Sequence, residues 1–324
     1  MSIRILKAGM FDTIQDNGRI GYGRWGINSG GVMDMYASDI ANALVGNDSS
    51  CAVLEMHFPA AEILFLEETL VSITGADFSL TLNGSIPLPT WKTLIIPAQS
   101  VLSFKRPQKG ARVYLAAHGG FGVDEWLGSR STNVKSGVGG FRGRRLLKDD
   151  EIEVNGDTHL SKRQLHVFPW SVNTKSVYQH TSIGLLKGHE FDWLSDQSSR
   201  VLTESEFSIH SSSDRMAFHL VHEMLQFEKK QELFSSAVSF GTTQLLPSGK
   251  LLTLMADHQT TGGYPRIGHV ASAFLPIFSQ ISAGEKFRFH WITSAEAEKM
   301  LFSLRTEMNT VRNMIREKLQ SHYA

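Results

Sequence analysis

From Ala52 to Phe104 the chain repeats one unit, an apolar run of strand length followed by a turn. The runs AVLEM, AEILFL, LVSIT, FSLTL, TLIIP and SVLSF are separated by Gly, Asn, Pro and Asp. These spacer residues favour turns, because glycine reaches positive φ, proline presets its φ and Asn or Asp bonds its own backbone. The runs are rich in β-branched residues and too short for helices, so their spacing predicts an antiparallel barrel or sandwich. With 28 glycines against 9 prolines, the composition agrees with many strands and tight turns. At 324 residues the chain has room for two domains, each able to bury a core.

The segment Asn155–Gln164 (NGDTHLSKRQ) is polar and unpatterned, as a linker is. It divides the chain into a predicted first domain over 1–155 and a second over 165–292, followed by a helix over 293–321. After the linker, strand-like runs resume at Leu165–Phe168, Ser182–Leu186 and Glu206–His210. Thr293 and Glu296 have capping-box spacing, and Ala297, Leu301, Leu304, Met308, Val311 and Ile315 recur every three or four residues. This stripe predicts a long amphipathic helix, packed on the chain's own domains or gripping a second copy in a homodimer.

Charge and cysteine use narrow the function. Lys plus Arg and Asp plus Glu are 32 each, so no global field recruits nucleic acid or an anionic membrane surface. Cys51 is the single cysteine, which excludes an intramolecular disulfide and a cysteine metal site. It is expected to be a buried small hydrophobe. His219 and His222, three apart on what could be a helix face, lack a third ligand at metal-site spacing, so no metal is expected. No run of about 18 apolar residues occurs, and a cytoplasmic location is expected.

One motif points the wrong way. Gly21-x-Gly23-x-x-Gly26 matches the dinucleotide fingerprint, yet a polar loop precedes it and Asn28-Ser-Gly-Gly31 follows. Such a fingerprint needs a buried strand before it and a helix after it, so a nucleotide role is rejected. The first helix is instead expected at Met35–Val45, with Asp34 as its cap.

The stretch Ala256–Arg266 (ADHQTTGGYPR) carries unlike chemical groups between two strand-like runs, where the chain is expected to reverse direction. Asp257, Thr260 and Thr261 supply acceptors and hydroxyls. Gly262 and Gly263 are expected to use positive φ and to leave amides bare for a ligand oxygen. Tyr264 and Arg266 add a phenol and a fixed charge, and Gln244 lies where its amide can point at the same place. Two further donor-rich regions stand out. His118-Gly119-Gly120 leads to Gly128-Ser-Arg130-Ser131-Thr132, whose hydroxyls and guanidinium suit a carboxylate or phosphoryl oxygen. Ser211–Arg215 places Arg215 beside Asp214, as an ordinary turn pair also would.

Together these segments resemble the allophanate hydrolase subunit 2 family, also called the biotin-dependent carboxyltransferase family, to which the C subunits of 5-oxoprolinases belong. The resemblance rests on Thr13-Ile-Gln15-Asp16-x-Gly-Arg19-x-Gly21, Ser29-Gly-x-x-Met-Asp34, Ala41-Asn-x-Leu-Val-Gly-Asn47 and Leu54-Glu55. It continues through Gly119-Gly-Phe121, Gly128–Thr132, Gly143-Arg144, Ser213-Asp-Arg-Met216, Gly241-Thr-x-Gln244 and Gln259–Pro265. The sequence departs from the family pattern at Ala217–His219, where glycine, an aromatic and arginine are usual. It departs again at His258, where arginine is frequent, and at Ser239-Phe240, where a proline often precedes Gly-Thr.

The resemblance implies a mainly β chain of two cyclophilin-like barrels with few helices. It further implies one member of an assembly that hydrolyses 5-oxo-L-proline to L-glutamate with ATP, together with a B-type subunit like allophanate hydrolase subunit 1 and an A-type subunit. ATP would be handled by the partners, since nothing in this sequence reads as a site for it. Under this reading Arg19, Arg130 and Arg215 are the cations, and the Gly119-Gly120 and Gly262-Gly263 amides are oxyanion donors. Gln15, Gln244 and Tyr264 orient the substrate, while Ser29, Ser131, Thr132, Thr260 and Thr261 complete its binding. Asp16, Asp34 and Asp257 are the proton acceptors or the braces of arginines. Two other activities are compatible with the family: carboxyltransfer to urea or an allophanate-like amide, and antagonism of a histidine-kinase inhibitor by binding.

Overall fold

The structure, a computed structural model, describes residues 1–156, 164–180, 182–228 and 233–323. It is mainly β, as expected. The chain clusters into two compact units: Met1–Arg19, Gly30–Asn173 and Thr306–Ala324 form the first, and Ile20–Ser29 with Thr174–Arg305 form the second. The expected linker falls largely on 157–163, outside the described residues. The run expected to open the second domain belongs to the first unit, because His166–Val167 pairs with Leu94–Ile95.

In the first unit the alternating runs build two hydrogen-bonded sheets. One has seven strands, in the order Phe121–Gly122, Glu151–Val154, Ser2–Lys7, Glu62–Phe65, Ser100–Phe104, Leu80–Leu82 and Ile86–Pro87. The other has six: His166–Val167, Thr93–Ile96, Thr69–Asp77, Lys109–Ala117, Val53–His57 and Thr13–Gln15. The edge strands are only two or three residues long, and the ladder of this unit is in two parts, not one closed barrel. Both sheets wall a single core, in which Ile3, Ile5, Leu54, Met56, Val71, Leu115 and Ile152 are fully buried.

The six-stranded sheet is covered on its other face as well. The helix Met35–Leu44 is buried from Tyr36 onward, more completely than its short apolar stripe suggested. Strand hydroxyls explain how: Ser72, Thr74 and Thr93 donate to the helix carbonyls of Ala41, Ala37 and Leu44 at 2.6–2.7 Å. These bonds let polar strand residues lie under a helix without leaving unpaired groups. The end of the C-terminal helix Ser294–Tyr323 packs against it in turn, with Arg312 3.0 Å from Asp39 and Met308, Ile315 and Leu319 buried. The predicted capping box is present, since the Glu296 amide bonds Thr293 Oγ1 and the Thr293 amide bonds Glu296 Oε2.

The second unit is a closed barrel. Its strands run Ser182–Lys187, Arg266–Val270, Thr242–Leu245, Leu251–Leu254, Ala217–Val221, Phe207–Ile209 and Lys286–Trp291, and a parallel pair of the last with the first closes it. Phe207, Phe218, Phe278, Phe287 and Phe289 fill it, with ring centroids 5.1–6.3 Å apart. His219 lies on a strand and His222 just beyond, so they share no helix face. No helix among the described residues is long and apolar enough to cross a membrane.

Candidate functional site

In the first unit the site is organised by one carboxylate. The strand Thr13–Gln15 pairs with Val53–Glu55 and delivers Asp16 at its end, 6% exposed. Asp16 Oδ1 accepts the hydroxyls of Ser129 and Ser131, both at 2.6 Å, and the Gly18 amide at 2.8 Å. Its Oδ2 accepts the Arg130 amide, and its own amide donates to Ser131 Oγ at 2.9 Å. Arg19, 2% exposed, donates to the Ser131 carbonyl and lies over the Trp126 ring, 5.0 Å from its centroid. Gln15 donates to the Thr132 carbonyl, and Thr132 returns both its amide and its hydroxyl to the Ile14 carbonyl. Asp16 is therefore the clasp that joins two distant loops.

Those bonds hold a tight hairpin. Trp126 and Ser129 exchange backbone hydrogen bonds, and the two residues between them, Leu127 and Gly128, have φ of 53° and 74°. Positive φ at both central positions is the type I′ arrangement that matches strand twist, and it needs glycine at least once. The hairpin sets Glu125 opposite Arg130, whose guanidinium meets the Glu125 carboxylate at 3.0 Å with both side chains nearly half exposed. Arg130 is thus fixed by its main chain and presented by its side chain.

Cys51 lies beside this hairpin. Burial pushes its thiol pKa up, and the charge of Arg130 is near enough to oppose that. The cysteine is half-buried rather than buried, and it packs on Gly120. The Gly119 and Gly120 amides are not bare as expected: they donate to Asn47 Oδ1 at 2.8 Å and to the Ala117 carbonyl at 2.9 Å. Asp34 stands apart. It is fully buried, caps its helix through the Ala37 amide, and gives its own amide to the Tyr114 hydroxyl oxygen.

In the second unit the Ala256–Arg266 segment is not a reversal. The strands before and after it are both antiparallel to Thr242–Leu245, which lies between them, so they are parallel and the segment is a crossover. It starts at one rim of the barrel and ends at the other, passing over Gln244. That path accounts for Gly262, which lies in the short strand Thr261–Gly262 paired with Ser236–Ala237. A Cβ there would sit 2.8 Å from Gln244 Nε2. Neither Gly262 nor Gly263 uses positive φ; at Gly262 it is the close approach of buried Gln244 that favours glycine. Gln244, fully buried, donates to the Tyr264 carbonyl at 3.1 Å, while the Tyr264 ring is 44% exposed.

Two arginines of this unit, Arg215 and Arg266, are braced at opposite ends of the crossover. Arg215, 4% exposed, donates from Nε and Nη2 to the two oxygens of Asp257 at 2.8 and 3.0 Å. Asn28 Nδ2 reaches the Asp257 carbonyl at 3.1 Å, which brings half-buried Ser29 toward the same rim. At the other rim Arg266 grips Glu190 at 2.6 and 2.9 Å. Burial alone would raise the Glu190 pKa, but the Arg266 hydrogen bonds outweigh it and hold it below the usual carboxylate range. Thr260 gives its carbonyl to the Val238 amide, and Thr261 is exposed.

The sequence reading missed Glu125, Trp126 and Glu190. Gly128 is a turn cue, but leucine at 127 hides the type I′ hairpin that sets Glu125 opposite Arg130; no local signal links Glu190 to Arg266, 76 positions away. Among the described residues no three His, Cys, Asp or Glu side chains form a group that could hold a metal.

The family model for the carboxyltransferase domain, subdomain A and B, matches residues 25–291. The chain belongs to this family. The carboxyltransferase-domain chain is 30% identical over 316 residues to the 5-oxoprolinase C subunit of Haemophilus influenzae, covering 98% of itself and 99% of that relative. It is 34% identical over 297 residues to the 5-oxoprolinase C subunit of Escherichia coli, covering 92% and 93%. The solved urea amidolyase of Kluyveromyces lactis matches 96% of the chain at 25% identity with a TM-score of 0.85, over 20% of that longer protein.

Proposed function

We propose that the chain is the C-type subunit of a 5-oxoprolinase that hydrolyses 5-oxo-L-proline to L-glutamate with ATP. One observation carries this reading: two relatives with that name align end to end with this chain, whereas the urea amidolyase match spans a fifth of a larger enzyme. The partners are a B-type subunit like allophanate hydrolase subunit 1 and an A-type subunit, in a reducing cytoplasm that suits a chain with one cysteine. ATP, handled by the partners, makes the unreactive lactam carbonyl susceptible by phosphorylating its oxygen.

This chain's residues then bind and orient. Arg130 faces the anionic oxygen of the substrate, with Ser131, Thr132, Gln15 and Arg19 holding its loop in place. Asp16 already accepts four donors, so it positions Arg130 instead of accepting a substrate proton. Asp257 likewise braces Arg215. The fold shared with urea amidolyase supports a second reading, carboxyltransfer to a urea-like amide.

Mixing the chain with its A-type and B-type counterparts, ATP and 5-oxoproline, and measuring glutamate, tests the first reading. Glutamate should form only when all three proteins are present. Glutamate formation without this chain would refute the assignment.

A further inference from the structure

The Glu125–Arg130 pair is built by the hairpin and is not an accident of two long side chains on a surface. The Trp126–Ser129 backbone pair and the two positive-φ residues between them fix the register. Positions 125 and 130 are the next to face each other, and their charged ends lie 3.0 Å apart. Both strands of the hairpin are anchored. Trp126, next to Glu125, stacks on the buried guanidinium of Arg19, and the Arg130 amide is bonded to Asp16. Neither main chain has to move when the pair separates.

The pair is also weak by construction. The side chains of Arg130 and Glu125 are 43% and 49% exposed, and exposed ion pairs are held loosely because water screens both charges. A second anion can therefore exchange with Glu125 on Arg130. A substrate carboxylate or oxyanion offers Arg130 Nη2 the same charge-assisted acceptor that Glu125 Oε2 offers at 3.0 Å.

We propose that Glu125 is a built-in counter-ion that competes with the anionic substrate oxygen for Arg130 and so sets the affinity for small acidic substrates. The proposal rests on the assignment of Arg130 made above. It makes Glu125 a specificity-determining residue that repels an anionic ligand until the ligand displaces it.

The test is steady-state kinetics of the reconstituted three-protein assembly with 5-oxoproline as the varied substrate. Glu125→Gln should lower KM about threefold, with kcat changing less than KM, while Glu125→Asp, which keeps the charge, should stay near the wild-type KM. In an Arg130→Ala background, Glu125→Gln should no longer alter KM. An unchanged or raised KM for Glu125→Gln, in an assembly whose turnover still falls with Arg130→Ala, would overturn the counter-ion proposal and leave the Arg130 assignment standing. If Arg130→Ala alters neither KM nor turnover, the Arg130 assignment fails first and the counter-ion goes with it. A melting temperature of Glu125→Gln within a few degrees of wild type confirms that the kinetics report on a folded protein.

Discussion

Arg215 is a charge whose environment tolerates little change. It is almost wholly buried, and Asp257 accepts from both Nε and Nη2 of its fork. Removing one partner of such a pair takes from a buried charge the counter-ion that offsets its desolvation. Asp257→Asn should destabilise the second unit by about 2 kcal/mol or more, read as a lower midpoint in denaturant melts; an unchanged midpoint would show that the pair is dispensable. Arg130→Ala has the opposite profile. Its guanidinium is half exposed, so stability should hold while turnover falls tenfold or more, about 1.4 kcal/mol.

Asp12 adds a pH dependence at the same scale. It is 1% exposed, and burial pushes its pKa up to about 7 against the opposing backbone hydrogen bonds of His57, Ala61 and Gly9. The unfolded chain ionises this group near 3.8, so between that value and about 7 the folded state binds more protons. The stability it contributes is complete in acid and is lost as pH rises through this window. Asp12→Asn, which keeps the neutral shape, should therefore be more stable than wild type above pH 7, by about 2–4 kcal/mol at most. His222 and His269, whose pKa values burial lowers, pull the other way below pH 6.5, so the difference between the two proteins is the quantity to follow. Parallel melting curves at pH 5 and pH 8 would contradict the role given to Asp12.

Among elements, the type I′ hairpin is the most exacting. Gly128→Ala forces a Cβ onto a φ of 74° and should cost about 1 kcal/mol, together with a loss of turnover if Arg130 is displaced. Retained turnover would mean that the hairpin does not aim the arginine. Elements of this kind show where sequence reading succeeds and where it stops. The capping box at Thr293 and the six apolar runs were legible because they are local patterns with one physical solution. Asp16 read as a proton acceptor or an arginine brace but not as a clasp, because three of its four donors, Ser129, Arg130 and Ser131, lie more than a hundred positions away. The glycine amides of 119 and 120 read as free because nothing in sequence shows that Asn47 reaches across 72 residues to take one of them. Gly262 and Gly263 suggested positive φ by composition, whereas the requirement at Gly262 comes from Gln244 lying beneath it.

At the scale of the whole molecule, equal numbers of acidic and basic residues leave recognition to local groups. Association with the proposed partner subunits should accordingly depend little on ionic strength; a steep loss of complex between about 50 and 300 mM salt, measured by sedimentation, would point to a charged interface instead. The mainly β character followed from run length and turn spacing, and the expectation of two domains from chain length. The unit boundaries did not, since Ile20–Ser29 and the end of the C-terminal helix join units far from them in sequence.

The crossover over Gln244 has a consequence for the order of assembly. A strap of this sort ends in a strand held on both sides, because Arg266–Val270 is hydrogen-bonded to Thr242–Gln244 and to Leu185–Lys187. The barrel then closes through the pairing of Ser182–Leu185 with Arg288–Trp291, strands that lie more than a hundred positions apart, and such distant contacts form late. Until it finishes, newly made chains display an unpaired edge to their neighbours, so crowding during synthesis is when this protein is most exposed to aggregation.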